Sequence, residues 1–249
     1  MKSINAIYFG GGAFGCTYHI GVLSAIEQTH TITTIYGCSV GAMIGLWHII
    51  GLSTADILNT YRNFQIGEYD TMCMSHLSQL NNDYPNAFAI CNERLYIGTV
   101  SANDGFIWIS KFSSNRDLFH AILCSCNFPL LSHYNSKMNG SCCIDGGFGF
   151  DLVYLPDETI SVSLFNIVGF ALRADMNVFD MIFPQNENTI QKYVGAGKAD
   201  MEYYIANGHF PQYNSTNNPA SSVIWTSNAQ MIIRLLQEKM GGNTRELFM

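Results

Sequence analysis

Charged side chains are scarce in this chain: lysine, arginine, aspartate and glutamate make up 12% of its 249 residues, and the net charge is −7. Such a composition lacks the basic footprint of a nucleic-acid-binding protein, so we expect no nucleic-acid partner. It also disfavours simple electrostatic docking on anionic membranes, although apolar contact with a lipid surface stays possible. The composition argues against intrinsic disorder, because a chain that is 48% hydrophobic with so few charges can bury a core.

Metal-binding cysteine pairs and long apolar runs are also absent. None of the eight cysteines forms a C-x-x-C pair, so a zinc site is not expected, and in a chain of this length we expect free buried thiols in a reducing compartment. The longest apolar helical stretch, residues 42–52, is too short to span a bilayer. The N-terminal apolar residues run into glycines, which predicts a first strand and not a secretory signal. We therefore expect an intracellular protein, cytoplasmic or peripherally membrane-associated.

Hydrophobic patterning predicts alternating strands and helices. Strands are predicted at residues 4–9, 32–36, 87–100, 106–112, 141–144 and within 159–172. Helices are predicted at residues 16–28, 42–50, 56–63, 116–125, 189–206 and within 224–240. The strand–helix–strand–helix order at the start favours parallel strands with crossover helices, which is the α/β class. No internal repeat or linker interrupts the chain, so we expect a single domain over residues 1–249.

A serine lies between two glycines in the segment GCSVG, residues 37–41, directly after the second predicted strand. This spacing allows a tight strand-to-helix turn that exposes the hydroxyl, and the start of the next helix favours negative charge nearby. Ser39 is therefore a candidate nucleophile, which needs a base and a polarised carbonyl to react. The alternative is an ordinary turn in which Ser39 caps the helix.

A glycine-rich segment, GGGAFG at residues 10–15, follows the first predicted strand. It fits the dinucleotide-binding pattern G-x-G-x-x-G, but that fold places a ribose-binding carboxylate at the end of the second strand. Here the second strand ends in YGCS, without an acidic residue. An oxyanion-binding loop is therefore favoured, with the backbone N–H groups of Gly11, Gly12 and Ala13 as candidate donors.

An aspartate followed by two glycines stands at residues 145–147. Taken alone, Asp145 in this setting is typical of a turn. The presence of Ser39 changes that balance, because a serine nucleophile needs a base. A histidine supplies it in Ser-His-Asp enzymes, and His209 is the late histidine that such an enzyme would use. The serine turn follows only two predicted strands, however, which is unlike an ordinary α/β-hydrolase.

Together, residues 10–23, 37–42, 124–129 and 145–147 resemble the patatin-like phospholipase family in motif, order and spacing. The resemblance implies a three-layer α/β/α sandwich around a largely parallel sheet. It implies a Ser–Asp dyad without histidine, in which Ser39 is the nucleophile and Asp145 accepts its proton. The glycine loop would be the oxyanion hole. It also implies lipid or phospholipid substrates met at a membrane or micelle surface, an acyl-enzyme intermediate, and no cofactor, metal or obligatory calcium.

Two positions depart from the family's usual pattern. Phe14 stands where the family usually has arginine or lysine, a basic group that bears on loop geometry and phosphate recognition. Asp151 stands where asparagine is frequent, and a second carboxylate close to Asp145 would raise the pKa of that residue. Two alternatives to the acyl hydrolase stay open: a conventional Ser-His-Asp esterase that uses His209, and a catalytically silent module that binds a lipid or a partner.

Overall fold

The computed structural model describes residues 2–64, 69–128, 132, 137–138, 140–164 and 170–207. His209 and the helix predicted within residues 224–240 lie outside the described residues. The single-domain expectation for residues 1–249 stays a prediction for the same reason.

The strands are β1 (Lys2–Phe9), β2 (His30–Cys38), β3 (Leu95–Ser101), β4 (Gly105–Ile109), β5 (Lys137–Met138), β6 (Ser141–Asp145), β7 (Ile160–Ser163) and β8 (Leu172–Arg173). The helices are α1 (Thr17–Ile26), α2 (Val40–Ile49), α3 (Thr54–Phe64), α4 (Tyr69–Asp83), α5 (Ala87–Cys91), α6 (Asn115–Ser125), α7 (Val178–Ile182) and α8 (Glu187–Asn207). Short 3₁₀ turns occupy Ala13–Cys16, Gly146–Phe148 and Leu152–Tyr154.

These strands form one mostly parallel sheet in the order β5-β6-β3-β2-β1-β7-β8, with β4 also paired to β3. The pairs among β1, β2, β3, β7 and β8 are parallel, and the pairs that involve β4, β5 or β6 are antiparallel. Along β1, Ile7 and Phe9 contribute to one buried cluster and Tyr8 to another, since successive strand residues face opposite sides of a sheet. Helices flank this sheet, so the predicted α/β class is confirmed.

The register of β3 brings two strand ends together. Gly98 of β3 pairs with Cys38 of β2, and Thr99 pairs with Asp145 of β6. Both β3 residues also pair with β4, so β2 and β6 must share the other edge of β3. Because β2 runs parallel to β3 and β6 runs antiparallel, their carboxyl ends point toward each other. Ser39, which follows Cys38, therefore arrives next to Asp145.

Two glycine contacts allow α1 and α8 to pack backbone against backbone. A Cβ atom on Gly21 would lie 2.1 Å from the carbonyl oxygen of Val194, and one on Gly197 would lie 2.2 Å from that of Tyr18. Tyr18 also donates a 2.7 Å hydrogen bond to Asp200. This close packing fixes α8 against the helix that follows the glycine loop.

Two segments differ from the sequence-based expectation. The strand predicted at residues 87–100 is correct only at its end, because α5 comes first and β3 begins at Leu95. Ala87 and Cys91, spaced by about one helical turn, are both fully buried, a pattern that a short apolar run shares with a strand. The helix α4 was not predicted, although its buried Cys73, Leu77 and Leu80 have helical spacing.

The described cysteines are all free thiols, and Cys142 is the exposed one. Among the helices that the structure describes, none combines the length and the apolar character needed to cross a bilayer.

Candidate active site

Ser39 occupies the sharp turn between β2 and α2, with φ 54° and ψ −129°. A positive φ is strained for any residue other than glycine. The turn needs the flanking glycines: a Cβ on Gly37 would lie 2.5 Å from the backbone nitrogen of Ala42, and one on Gly41 would lie 2.1 Å from the carbonyl oxygen of Phe9. The sequence G-x-S-x-G thus folds into a turn that side chains at either glycine would block.

The Ser39 side chain is not used to cap a helix. It stands at the N-cap position of α2, but its hydroxyl makes no capping hydrogen bond. Instead, it lies beside the carboxyl group of Asp145 and acts to lower the pKa of that group. Ser39 is 4% exposed, so this contact lies in a largely water-free setting.

Asp145 ends β6 in an ordinary backbone conformation, with φ −46° and ψ 130°. Its Oδ1 atom accepts a 2.8 Å hydrogen bond from the N–H of Gly147. Burial raises the pKa of Asp145 to about 6, even though the neighbouring Ser39 side chain and the N–H of Gly147 act to lower it. At neutral pH the carboxylate is mostly ionised, yet its pKa is close enough to 7 for it to take a proton.

Asp151 does not explain this raised pKa, whose main cause is burial. The Asp151 carboxylate accepts a 3.3 Å hydrogen bond from the N–H of Val153 and caps the 3₁₀ turn Leu152–Tyr154.

The glycine loop lies over both side chains. A Cβ on Gly11 would be 3.1 Å from the Cβ of Ser39 and 3.8 Å from Oδ1 of Asp145. Gly12 and Ala13 both have positive φ angles, 147° and 44°, so the loop is sharply bent where it leads into the turn Ala13–Cys16. The structure therefore brings Ser39, Asp145 and Gly11 into contact distance, and Gly12 and Ala13 directly follow Gly11 in the chain.

Three hydrogen bonds that the sequence did not indicate hold the two ends of this loop. The N–H of Gly10 donates to the carbonyl of Val162 in β7 at 3.0 Å. Nε2 of His19, a buried residue whose pKa is lowered by burial to about 4, lies 2.9 Å from the carbonyl oxygen of Gly10. At the far end, the hydroxyl of Tyr61 donates to the carbonyl of Phe14 at 2.7 Å.

Phe14 is buried and helps to line a small apolar cavity between the glycine loop and α2. The cavity is lined by Ala13, Phe14, Cys16, Val40, Met43, Trp47, Tyr61, Cys73 and Cys126. None of these side chains carries a formal charge at neutral pH. Where the resembled family usually has a basic side chain, this protein has an aromatic ring on the wall of an apolar cavity.

The histidines in the described part of the chain each have a partner other than Ser39 or Asp145. His19 bonds to Gly10, His30 to Thr29, His76 to Trp47 and His120 to Lys137, and His48 lies 3.6 Å from Glu27. Within the described ranges, no group of three or more histidine, cysteine, aspartate or glutamate side chains could hold a metal ion.

Comparison with known proteins agrees with the motifs. The patatin-like phospholipase family matches residues 7–71, which contain the glycine loop and Ser39 but not Asp145. A protein of Mus musculus named 1-acylglycerol-3-phosphate O-acyltransferase Pnpla3 is 25% identical over 181 residues. That match covers 64% of this chain and 43% of the mouse protein, so it spans less than half the length of that relative.

Proposed function

We propose, on the premise that this chain is a patatin-like protein, that it is a serine acyl hydrolase that cleaves acyl esters of lipids. Ser39 is the nucleophile and Asp145 the base of a two-residue dyad, in a lipase or phospholipase A type of reaction. The observation that carries this proposal is the juxtaposition of Ser39, held in a strained turn, with the buried Asp145 carboxylate beside the glycine loop.

The first half of the reaction forms an acyl-enzyme. Oγ of Ser39 attacks the ester carbonyl carbon while the Asp145 carboxylate takes the hydroxyl proton, and the carbonyl electron pair moves onto oxygen. Backbone N–H groups of Gly11, Gly12 and Ala13 stabilise this oxyanion. The tetrahedral intermediate then collapses: the ester C–O bond breaks, and the leaving alcohol takes the proton from Asp145.

The second half returns the enzyme to its starting state. Water attacks the acyl-enzyme carbonyl and gives a proton to Asp145 as the new C–O bond forms. When the bond to Ser39 breaks, the fatty acid leaves and Oγ takes the proton back from Asp145. The raised pKa of Asp145, about 6, suits both steps because the group must accept and release a proton near neutral pH.

Apolar side chains close to the dyad favour an apolar acyl substrate. The cavity beside Ala13 and Val40 is lined by apolar and sulfur-containing side chains, and Phe14 adds no positive charge for a phosphate headgroup. We therefore propose a lipid substrate taken from a membrane or micelle surface, with little dependence of the rate on an anionic headgroup. The protein would meet that surface as a peripheral protein.

Acyl transfer is a second candidate function, favoured by the similarity to a protein named as an O-acyltransferase. The acyl-enzyme on Ser39 is the same in both reactions. An alcohol, such as the hydroxyl of 1-acylglycerol-3-phosphate, would attack it in place of water and give its proton to Asp145. Adding this acceptor to the assay and measuring diacylated product against free fatty acid separates the two functions.

A lipid-panel assay of the purified chain tests the proposal. The wild type is expected to release fatty acid, whereas Ser39→Ala and Asp145→Ala are expected to fall to the background rate. Asp157→Ala, which removes an exposed aspartate, is the matched control and should keep wild-type turnover. Near-normal turnover of Asp145→Ala would contradict the dyad.

Two further measurements separate the alternatives. Loss of turnover in His209→Ala, with retention in Asp145→Ala, would identify a conventional Ser-His-Asp esterase. A folded wild-type protein that neither releases fatty acid nor reacts at Ser39 with a fluorophosphonate probe would identify a silent binding module.

A further inference from the structure

The end of α6 and the residues after it carry the one sequence motif for which the proposed chemistry supplies no role. Residues 124–129 belong to the family resemblance, yet none of them takes part in the reaction steps above. Ser125, the last residue of α6, is completely buried. The Ser125 hydroxyl makes a hydrogen bond at Ser39, and the carbonyl and side-chain amide of Asn127 make hydrogen bonds at the end of β6, which carries Asp145.

Ser125 contacts the nucleophile side. Its Oγ accepts a 2.7 Å hydrogen bond from the backbone N–H of Ser39 and donates a 2.6 Å hydrogen bond to the carbonyl of Gly98. The Ser39 N–H lies in the turn, between the ladder of β2 and the helix α2, and a buried N–H without a partner is costly. Because the donor of Ser125 is engaged by Gly98, a lone pair of the same oxygen is directed at Ser39.

Asn127 contacts the carboxylate side. Its carbonyl oxygen accepts a 3.0 Å hydrogen bond from the N–H of Asp145, and its Nδ2 donates a 2.7 Å hydrogen bond to the carbonyl of Cys143. Residues 143 and 145 belong to the last part of β6. Asn127 therefore fixes the end of β6 through the backbone of Asp145 and of Cys143.

We propose that Ser125 and Asn127 together form a brace that sets the distance between Ser39 and Asp145; this inference rests on the proposed function. Ser39 and Asp145 come from strands that meet end to end on β3. The brace joins each of them to one short segment, and Gly98 ties that segment to β3 as well. Ser125 and Asn127 are positioning residues: they act on the dyad through its backbone and do not touch the reacting atoms.

A displacement of about 1 Å between a nucleophile and its base can reduce turnover on the order of a hundredfold. The brace therefore predicts a selective loss of turnover when Ser125 is changed. Ser125→Ala should lower kcat by about ten- to a hundredfold with KM nearly unchanged. Ser125→Thr, which restores a hydroxyl, should recover part of that loss.

Ser161→Ala is the matched control. Ser161 is also fully buried, and its Oγ accepts a 3.1 Å hydrogen bond from the N–H of Ala171, which also donates to the Ser161 carbonyl at 3.0 Å. It lies in β7, which carries neither Ser39 nor Asp145. Ser161→Ala should lower the melting temperature less than Ser125→Ala, because the N–H of Ala171 keeps a backbone acceptor, and it should leave kcat near the wild-type value. Equal loss of kcat in the two variants would mean that Ser125 is only a packing residue and would overturn the brace.

A second variant keeps the test decisive if Ser125→Ala does not fold. Asn127→Ala removes the amide donor to Cys143 and should reduce kcat by about tenfold through the other side of the dyad. Wild-type kcat in folded Asn127→Ala would overturn the proposal that the two residues together form a brace.

Hydrogen exchange separates failure of the brace from failure of the proposed function. Ser125→Ala should speed amide exchange in residues 37–42, and Asn127→Ala should speed it in residues 141–146, with neither effect in Ser161→Ala. These changes support the brace even in an assay where the wild type does not exceed the Ser39→Ala blank, which is the result that contradicts the proposed function. Unchanged exchange in both segments overturns the brace whatever the activity.

Discussion

At Ser39 the backbone is strained and the side chain is neutral, whereas at Asp145 the backbone is ordinary and the side chain is a buried acid. Ser39 has φ 54° and ψ −129°, which a non-glycine residue adopts at a cost of about 1–3 kcal/mol. Asp145 has φ −46° and ψ 130°, but burial raises its pKa to about 6. The two halves of the candidate site therefore store energy differently, one in dihedral angles and one in desolvation of a charge. Different substitutions should release each cost.

The largest expected effect is on turnover in Asp145→Asn. The amide has the size of the carboxyl group, and its oxygen can still accept the hydrogen bond from the N–H of Gly147, but it cannot take the proton of Ser39. We expect kcat to fall by about 10²–10⁴-fold. In the wild type the rate should fall about tenfold per pH unit below the Asp145 pKa of about 6, because the protonated acid is no longer a base. Fatty-acid release measured against pH checks both statements, and a variant that keeps the wild-type profile would contradict them.

Alanine at the glycine beside either residue of the dyad should lower the stability of the protein to a similar extent. A Cβ at Gly41 would lie 2.1 Å from the carbonyl oxygen of Phe9, and a Cβ at Gly146 would lie 2.1 Å from that of Gly98. Both alanine variants force backbone apart, and each should lower the free energy of unfolding by about 3 kcal/mol. Gly195→Ala, in α8 with nothing near the added atom, is the control and should raise it by about 0.5–1 kcal/mol. Urea unfolding measures all three; equal stabilities would contradict the close approach.

The nucleophile half was more open to prediction from sequence than the carboxylate half. Ser39 lies in the turn between a strand and a helix that are adjacent in the chain, so its surroundings are set by local sequence. Asp145 is brought to it by the antiparallel register of β6 on β3, and a single sequence does not specify which strands pair. Only the family resemblance joined the two residues before the structure was known.

The brace was not predictable for a related physical reason. The contact from Ser39 to Ser125 spans 86 positions and the one from Ser125 to Gly98 spans 27. A buried serine at the end of a helix has no local feature that distinguishes it from a serine that merely caps or packs. The helix α4 was missed because the polar residues between its buried positions weaken the apolar pattern.

The cost stored at Asp145 should appear as a pH-dependent stability difference. Its folded pKa, about 6, lies above the unfolded value of about 3.9, so the folded state loses its proton less readily. The wild type therefore loses stability as the pH rises from about 4 through about 6, and above that range the full cost is present. At neutral pH, Asp145→Asn should be more stable by up to about 3 kcal/mol.

Below about pH 4 the carboxyl group is protonated in both states, so the stability difference between wild type and Asp145→Asn should disappear. Thermal or urea unfolding at several pH values checks the size and the sign. Asp157→Asn, at an exposed aspartate, is the control and should show no such dependence. A constant difference across the pH range would mean that the burial of the Asp145 charge is not its cause.

The smallest expected effect concerns the strain at Ser39, and it has an unusual sign. Glycine is normally less stable than alanine by about 0.5–1 kcal/mol in a regular element, because it loses more backbone entropy. At φ 54° and ψ −129° the order should be reversed, since glycine reaches this conformation without steric cost. Both Ser39→Gly and Ser39→Ala remove the hydroxyl, so we attribute their stability difference to the backbone. Ser39→Gly should be the more stable by about 1 kcal/mol.

The same pair of substitutions at Ser24 provides the control, since Ser24 lies in α1 and its hydroxyl bonds to the carbonyl of Gly21. There alanine should be more stable than glycine by about 1 kcal/mol. If alanine is also favoured at position 39, the turn is not strained, and the asymmetry between the two halves is lost. A reversed order at position 39 alone, measured by urea unfolding, would mean that the chain accepts local backbone strain at the residue that carries the nucleophile.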